Sequence, residues 1–185
     1  MIYFTSDLHI GHDKPFLWGG RGFSSIEEHD TEILKRWNSV VSVDDTVYIL
    51  GDLCLGGNEK EWDKIFKNLN GQKYVITGNH DTVNKIARYE LDYNMTCYGL
   101  AALYKHTKKW IFYLSHYPTF TANFDDKQKH RHIINLYGHT HQSTNFFNDN
   151  PYMYHVGVDS HNFMPVSIEQ IIYDISTKEE KMKEN

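Results

Sequence analysis

Ile2-Tyr3-Phe4-Thr5-Ser6-Asp7-Leu8-His9 passes from a β-type run directly into potential metal ligands, and the same arrangement recurs along the chain. β-branched and aromatic runs at 46–50, 73–77, 110–114, 133–137 and 152–156 also read as strands. The first four of these lead into Gly51-Asp52, Gly78-Asn79-His80-Asp81, Ser115-His116 and Gly138-His139-Thr140-His141. Apolar strand followed by polar cluster is therefore the organising unit. In an α/β sheet, loops converge beyond the carboxyl ends of the strands, which places all five clusters on one edge.

Helical signals lie between the strands, which sets the class as α/β. Ser24-Ser25-Ile26-Glu27-Glu28 offers an N-cap and capping box, and Ile33, Leu34, Trp37 and Val41 follow at helical spacing, so a helix is expected over 25–39. Trp62, Ile65, Phe66 and Leu69 mark a second helix over 59–69, stopped by Asn70-Gly71. A short helix is expected at 167–173 and a frayed, charged tail at 177–185. The stretch 119–131 lacks periodicity and reads as a substrate-shaping loop.

The 185 residues suit one domain, 1–185, and 40% apolar with 23% charged residues describes a globular protein. Cys54 and Cys97 are too few for a disulfide framework, which points to a reducing cytoplasm. A β-type run opens at residue 2 with no basic or apolar leader before it, so neither export nor membrane attachment is expected. A formal charge of −5 argues against an extensive nucleic-acid surface, because such binding neutralises many backbone phosphates. The unusual count is 12 histidines.

The clusters place Asp7, His9, Asp52, Asn79, His80, His116, His139 and His141 together. In extended backbone, residues i and i+2 project to one side, so Asp7 pairs with His9, and His139 with His141. Glycines 51, 78 and 138 relieve crowding just before the ligands. Two carboxylates, one amide oxygen and up to five imidazoles are too many for one tetrahedral zinc and enough for two ions.

This ordered set resembles the calcineurin-like metallophosphoesterases, whose pattern is D-x-H, G-D, G-N-H-D/E, H and G-H-x-H. The resemblance spans residues 1 to about 160. It implies a four-layer β-sandwich of two mixed sheets flanked by helices. It also implies that Asp7, His9 and His141 bind one metal, that Asn79, His116 and His139 bind the other, and that Asp52 bridges them. His80 would stay free of metal and face the substrate as the catalytic residue. Many members continue G-D with x-x-D-R-G, but here Leu53-Cys54-Leu55-Gly56-Gly57 follows Asp52. That departure disfavours the protein serine/threonine phosphatases and favours the small bacterial or viral members.

The expected reaction is hydrolysis of a phosphomonoester or phosphodiester, including nucleotide-like ones, by a hydroxide bridging two divalent ions. Two such ions carry four positive charges, and Asp7, Asp52 and hydroxide remove three, leaving about one for the phosphate. Mn²⁺ leads the metal assignments, with Fe, Zn²⁺ and Ni²⁺ also suited to mixed N/O ligands. The partner is a small phosphate ester; the oligomeric state is open. The rival readings are a non-catalytic scaffold of this fold and a nuclease acting on DNA or RNA.

Other residues carry weaker signals. Arg21 in Gly19-Gly20-Arg21-Gly22 is a candidate for binding phosphate through its guanidinium fork, against a solvated loop arginine. Tyr117, Phe120 and Phe124 are weighed as stacking platforms or loop anchors, and Asp81 as a partner for His80. Cys54 reads as a small buried residue outside the site. His12, His29, His106, His130, His132, His155 and His161 belong to no motif and are expected in surface or turn positions, with His12 and His130 in loops near the cleft.

Overall fold

The computed structural model describes residues 1–121, 132–143 and 152–183. The first sheet has the order β4-β3-β2-β1-β9. Its strands β1 (Ile2–Thr5), β2 (Thr46–Leu50), β3 (Gln72–Ile76) and β4 (Thr96–Cys97) run parallel, and β9 (Val166–Ser167) is antiparallel to β1. The second sheet has the order β5-β6-β7-β8. There β5 (Ala101–Lys105) is antiparallel to β6 (Trp110–Ser115), while β6, β7 (His132–Tyr137) and β8 (Met153–His155) are parallel. Both sheets are mixed, as expected, and helices flank them.

Alternation along the strands builds two cores. Tyr3, Val47, Ile49 and Val75 face outward from the first sheet. They pack against Ile33 and Trp37 of α2 (Ile26–Val40), Trp62, Ile65 and Phe66 of α3 (Glu59–Phe66), and Tyr89 and Tyr93 of α4 (Val83–Tyr93). Phe4, Leu50 and Ile76, one residue out of phase, join Phe112, Leu114, Ile134 and Leu136 of the second sheet. Phe4 lies 5.4 Å from the Tyr48 ring and 6.1 Å from that of Phe112, so this core ties the sheets together. Each fully buried large aliphatic side chain contributes about 1.5–3 kcal/mol.

Helix ends follow the local chemistry. Ser25 Oγ accepts from Glu28 N–H at the start of α2, and Asn58 with Glu61 forms a capping box for α3. A short α1 (Pro15–Trp18) with proline at its first position precedes α2. The C-terminal expectation needs correction. Helix α5 spans Ile168–Lys183, so it does not end at 173, and the stretch expected to fray is helical to Lys183. Ile168, Ile171 and Ile175 lie on one face and are buried in the second core, and the lysines and glutamates beyond them are good helix formers. The loop expected at 119–131, with Phe124 and His130, falls mostly outside the described residues. Among the described residues no helix is long and apolar enough to cross a membrane.

Candidate metal centre

The parallel strands β1, β2 and β3 lead into the turns that carry Asp7, Asp52 and Asn79, and β6 and β7 lead into those that carry His116 and His139. The two sheet edges meet there: His116 Nε2 is 2.9 Å from Asn79 Oδ1, and the His139 backbone N–H donates to both Asp7 oxygens at 2.9 and 3.2 Å. Asp7, His9, Asp52 and His116 are at most 3% exposed. Two groups of ligand atoms gather among the described residues, Asp7 with His9 and His141, and Asp7 with Asp52 and His116. His139 belongs to neither group, but its ring centroid is 5.0 Å from that of His116.

The expected pairing within Asp7-Leu8-His9 and His139-Thr140-His141 arises differently from the extended pleat read in the sequence. Asp7, His9, Asp52, His139 and His141 all have φ between 48° and 68°, five of the eight described non-glycine residues in the left-handed region. Aspartate and histidine tolerate that region better than most residues, and such strain concentrates at functional sites. The turns also need close backbone approach. A Cβ on Gly51 would lie 2.6 Å from both Gly78 Cα and His116 Nδ1.

Each carboxylate turns one oxygen toward the histidines, although Asp7 Oδ1 also accepts the longer bond from His139 N–H. Asp7 Oδ2 accepts from Ser6 Oγ at 2.6 Å and from His139 N–H, leaving Oδ1 4.0 Å from His9 Nε2 and 3.7 Å from His141 Nε2. Asp52 Oδ1 accepts from His80 N–H at 2.9 Å. Its Oδ2 faces His9 Nε2 at 3.7 Å, His116 Nε2 at 3.5 Å and His80 Nε2 at 3.9 Å.

The imidazoles are oriented with equal care. His116 Nδ1 is 2.8 Å from Leu50 O, an acceptor, so Nδ1 carries the proton and Nε2 presents a lone pair. That lone pair faces another acceptor, Asn79 Oδ1, an arrangement suited to a cation between them. His141 Nδ1 is 3.0 Å from Asp159 Oδ2, which directs its Nε2 inward to 3.2 Å from His9 Nε2. His9 Nδ1 is buried without a hydrogen-bond partner. The donor set of carboxylate, amide and neutral imidazole therefore fits hard or borderline divalent cations.

Burial governs the charges. It pushes the Asp7 carboxyl up and drives His9 down to about 2, helped by the nearby Arg21 charge. The hydrogen bond to Asp159 raises His141 against its own burial. Burial favours the neutral form of Asp159, but bonds to His141 and Arg21 outweigh it and hold the carboxyl well below its usual range.

Arg21 is not the solvated arginine weighed from the sequence, since its side chain is 3% exposed. Its Nε and one terminal nitrogen grip Asp159 at 2.8 Å each. The remaining N–H groups reach Asp7 O, Leu8 O and His29 Nε2. All five donors are thus committed within the protein, which makes Arg21 a support for His141 and leaves none for a phosphate. Because arginine only donates, His29 Nε2 accepts, and His29 Nδ1–H passes to Asp30 at 2.8 Å. His29 and His155 are fully buried, which corrects the surface or turn placement expected for them.

Asp81 also acts differently from the role considered for it. Its carboxylate accepts from Asp52 N–H, Gly78 N–H and Tyr89 O–H at 2.8–3.0 Å, locking the loops after β2 and β3 together. Cys54 is buried as expected, and burial raises its thiol to about 11. Sequence reading missed Asp159, although Gly157-Val158-Asp159 follows β8 as the other clusters follow their strands.

Residues 1–176 match the calcineurin-like phosphoesterase superfamily domain. An uncharacterized protein of Methanocaldococcus jannaschii is 33% identical, the match covering 92% of this chain and 89% of that protein. The Gene 66 protein of Mycobacterium phage D29 is 32% identical over 94% of this chain and 96% of its own. A crystal structure of a protein of unknown function from Aquifex aeolicus shares the fold, with a TM-score of 0.68 at 23% identity, covering 94% of this chain and 98% of that one. The two sheets, the gathered Asp and His ligands and the match over nearly the whole length lead to one assignment: this chain belongs to the calcineurin-like phosphoesterase superfamily.

Proposed function

We propose that the chain is a metal-dependent hydrolase of phosphate esters. The supporting observation is the position of Asp52 Oδ2, within 4 Å of His9, His116 and His80 at once. Asp7, His9 and His141 would hold one cation, Asn79, His116 and His139 the other, with Asp52 shared between them. Bound divalent cations, Mn²⁺ first among them, would supply Lewis-acid charge and lower the pKa of water toward neutrality.

The chain itself supplies orientation and a proton. His80 is half-exposed, and its main chain is pinned at both ends: its N–H donates to Asp52, and its carbonyl accepts from Lys85 Nζ at 2.8 Å. Its ring is therefore placed to donate a proton to the departing alkoxide, a role of general acids. Arg21 and Asp159 fix the tautomer and direction of His141, and Leu50 O does the same for His116.

The test is a panel of phosphomonoesters and phosphodiesters run on metal-stripped protein reconstituted ion by ion. Hydrolysis that appears only with divalent metal is the expected result. Failure to turn over any ester with Mn²⁺, Fe, Zn²⁺ or Ni²⁺ would sink the proposal.

A further inference from the structure

A cavity of about 640 Å³ opens beside the ligand cluster, within the size range of small-molecule sites. It is asymmetric. His9, His80 and His141 line it, whereas Asn79, His116 and His139 do not. An apolar wall is built by Phe16 and Leu17 of α1 and by Leu55 from the loop after β2. Aromatic surface runs without a break from the ligand cluster to that wall: the His9 and His12 rings are 5.4 Å apart, and His12 meets Phe16 edge-on at 5.7 Å and 88°.

Phe16 is 75% exposed on a wall that leads to the proposed phosphate position. With that exposure beside the perpendicular His12 ring, Phe16 keeps ring surface open to a ligand. The electrostatics of the cavity are equally selective. Arg21 reaches it, but with every donor already committed, and Asp159 adds a carboxylate paired to that arginine. No other lysine or arginine is among the lining residues described. Among the described residues, a second phosphate or carboxylate on the ligand would find no free lysine or arginine in the lining.

We propose that this cavity seats the organic substituent of the phosphate ester, an uncharged, ring-bearing group of nucleoside size stacked on Phe16. The proposal rests on the phosphoesterase reading, because it takes the phosphate to lie at the Asp52 cluster. It assigns the ring platform to α1 and not to the aromatics that follow His116.

Two measurements on Mn²⁺-loaded protein test it. In equilibrium binding, thymidine 5′-monophosphate should exceed inorganic phosphate in affinity by at least about fivefold, the low end of aromatic stacking. Phe16→Ala should remove most of that advantage while leaving inorganic phosphate binding and the melting temperature unchanged; Phe16 is too exposed for its loss to unfold the chain. In turnover, Phe16→Ala should lower kcat/KM for thymidine 5′-p-nitrophenyl phosphate by about fivefold or more and for methyl p-nitrophenyl phosphate by less than about twofold.

Equal affinity of the wild type for both binding probes, or an equal loss of both in Phe16→Ala, would overturn the cavity assignment. Turnover of both esters without a thymidine advantage would overturn it as well, while leaving the phosphoesterase reading intact. Binding of thymidine 5′-monophosphate that depends on Phe16, without hydrolysis of either ester, would uphold the cavity and contradict that reading.

Discussion

Arg21 holds Asp159 through two parallel 2.8 Å hydrogen bonds, and Asp159 in turn orients His141 at 3.0 Å. A residue from the loop after α1 thereby fixes the ring direction of a candidate ligand that follows β7. Supports of this kind typically contribute 10–100-fold in metal affinity. Arg21→Lys and Asp159→Asn are therefore expected to weaken one metal by about that factor and leave the second nearly unchanged, since lysine cannot reproduce the fork. Titration calorimetry of metal-stripped protein checks this, and unchanged affinity at both sites would remove the supporting role.

His80 lies beside the cluster, 3.9 Å from Asp52 Oδ2, without the buried setting of His9 and His116. His80→Ala should keep the metal content of the wild type and lose about 10²–10⁴-fold in turnover, the usual contribution of a general acid. A variant with full metal and full turnover would contradict its role.

His155 is fully buried, and that burial, with His161 nearby, drives its imidazole down to about 3. The unfolded chain takes up a proton below about pH 6.5, whereas the folded chain does so only near 3. Stability is therefore lost as pH falls through that window, by up to about 1.4 kcal/mol per pH unit. His155→Asn, which keeps a polar group toward Ser160, should be less stable than wild type at pH 7, with the gap narrowing at lower pH. Urea unfolding of the metal-free proteins measures it, and a gap independent of pH would refute the assignment.

Strands β1 and β2 are legible to the residue because each is a complete β-type run bounded by polar clusters. The short edge strands β4 and β9 have two residues each, too few for any period to show. Helix α4 is hidden because Val83 and Leu91 are 82% and 84% exposed, so its apolar residues do not mark one face. The gathering of the site's Asp and His residues is readable because each follows within a few residues of a strand end. The left-handed turns that aim Asp7, His9 and Asp52 are not, because aspartate and histidine permit that conformation without requiring it, and contacts from the other sheet select it. Arg21 shows the same limit: its type suggested phosphate, but Asp159, 138 residues away, decides its role.

Ile175 is 1% exposed and belongs to the core between the sheets, anchoring a helix that the sequence suggested would be short. Ile175→Ala should cost about 2–5 kcal/mol through lost burial and an unfilled cavity. Chemical denaturation gives the value, and a cost under about 0.5 kcal/mol, typical of surface sites, would mean that α5 is not docked there.

Asp52 Oδ2 faces His9 of one candidate group and His116 of the other, the geometry on which its proposed sharing between two cations depends. The most direct test is metal stoichiometry by mass spectrometry after Mn²⁺ reconstitution, comparing wild type with Asp52→Asn. About two ions per chain are predicted in the wild type, with both weakened together in the variant. A wild type that binds one ion or none, or a variant that retains two with undiminished affinity, would contradict it.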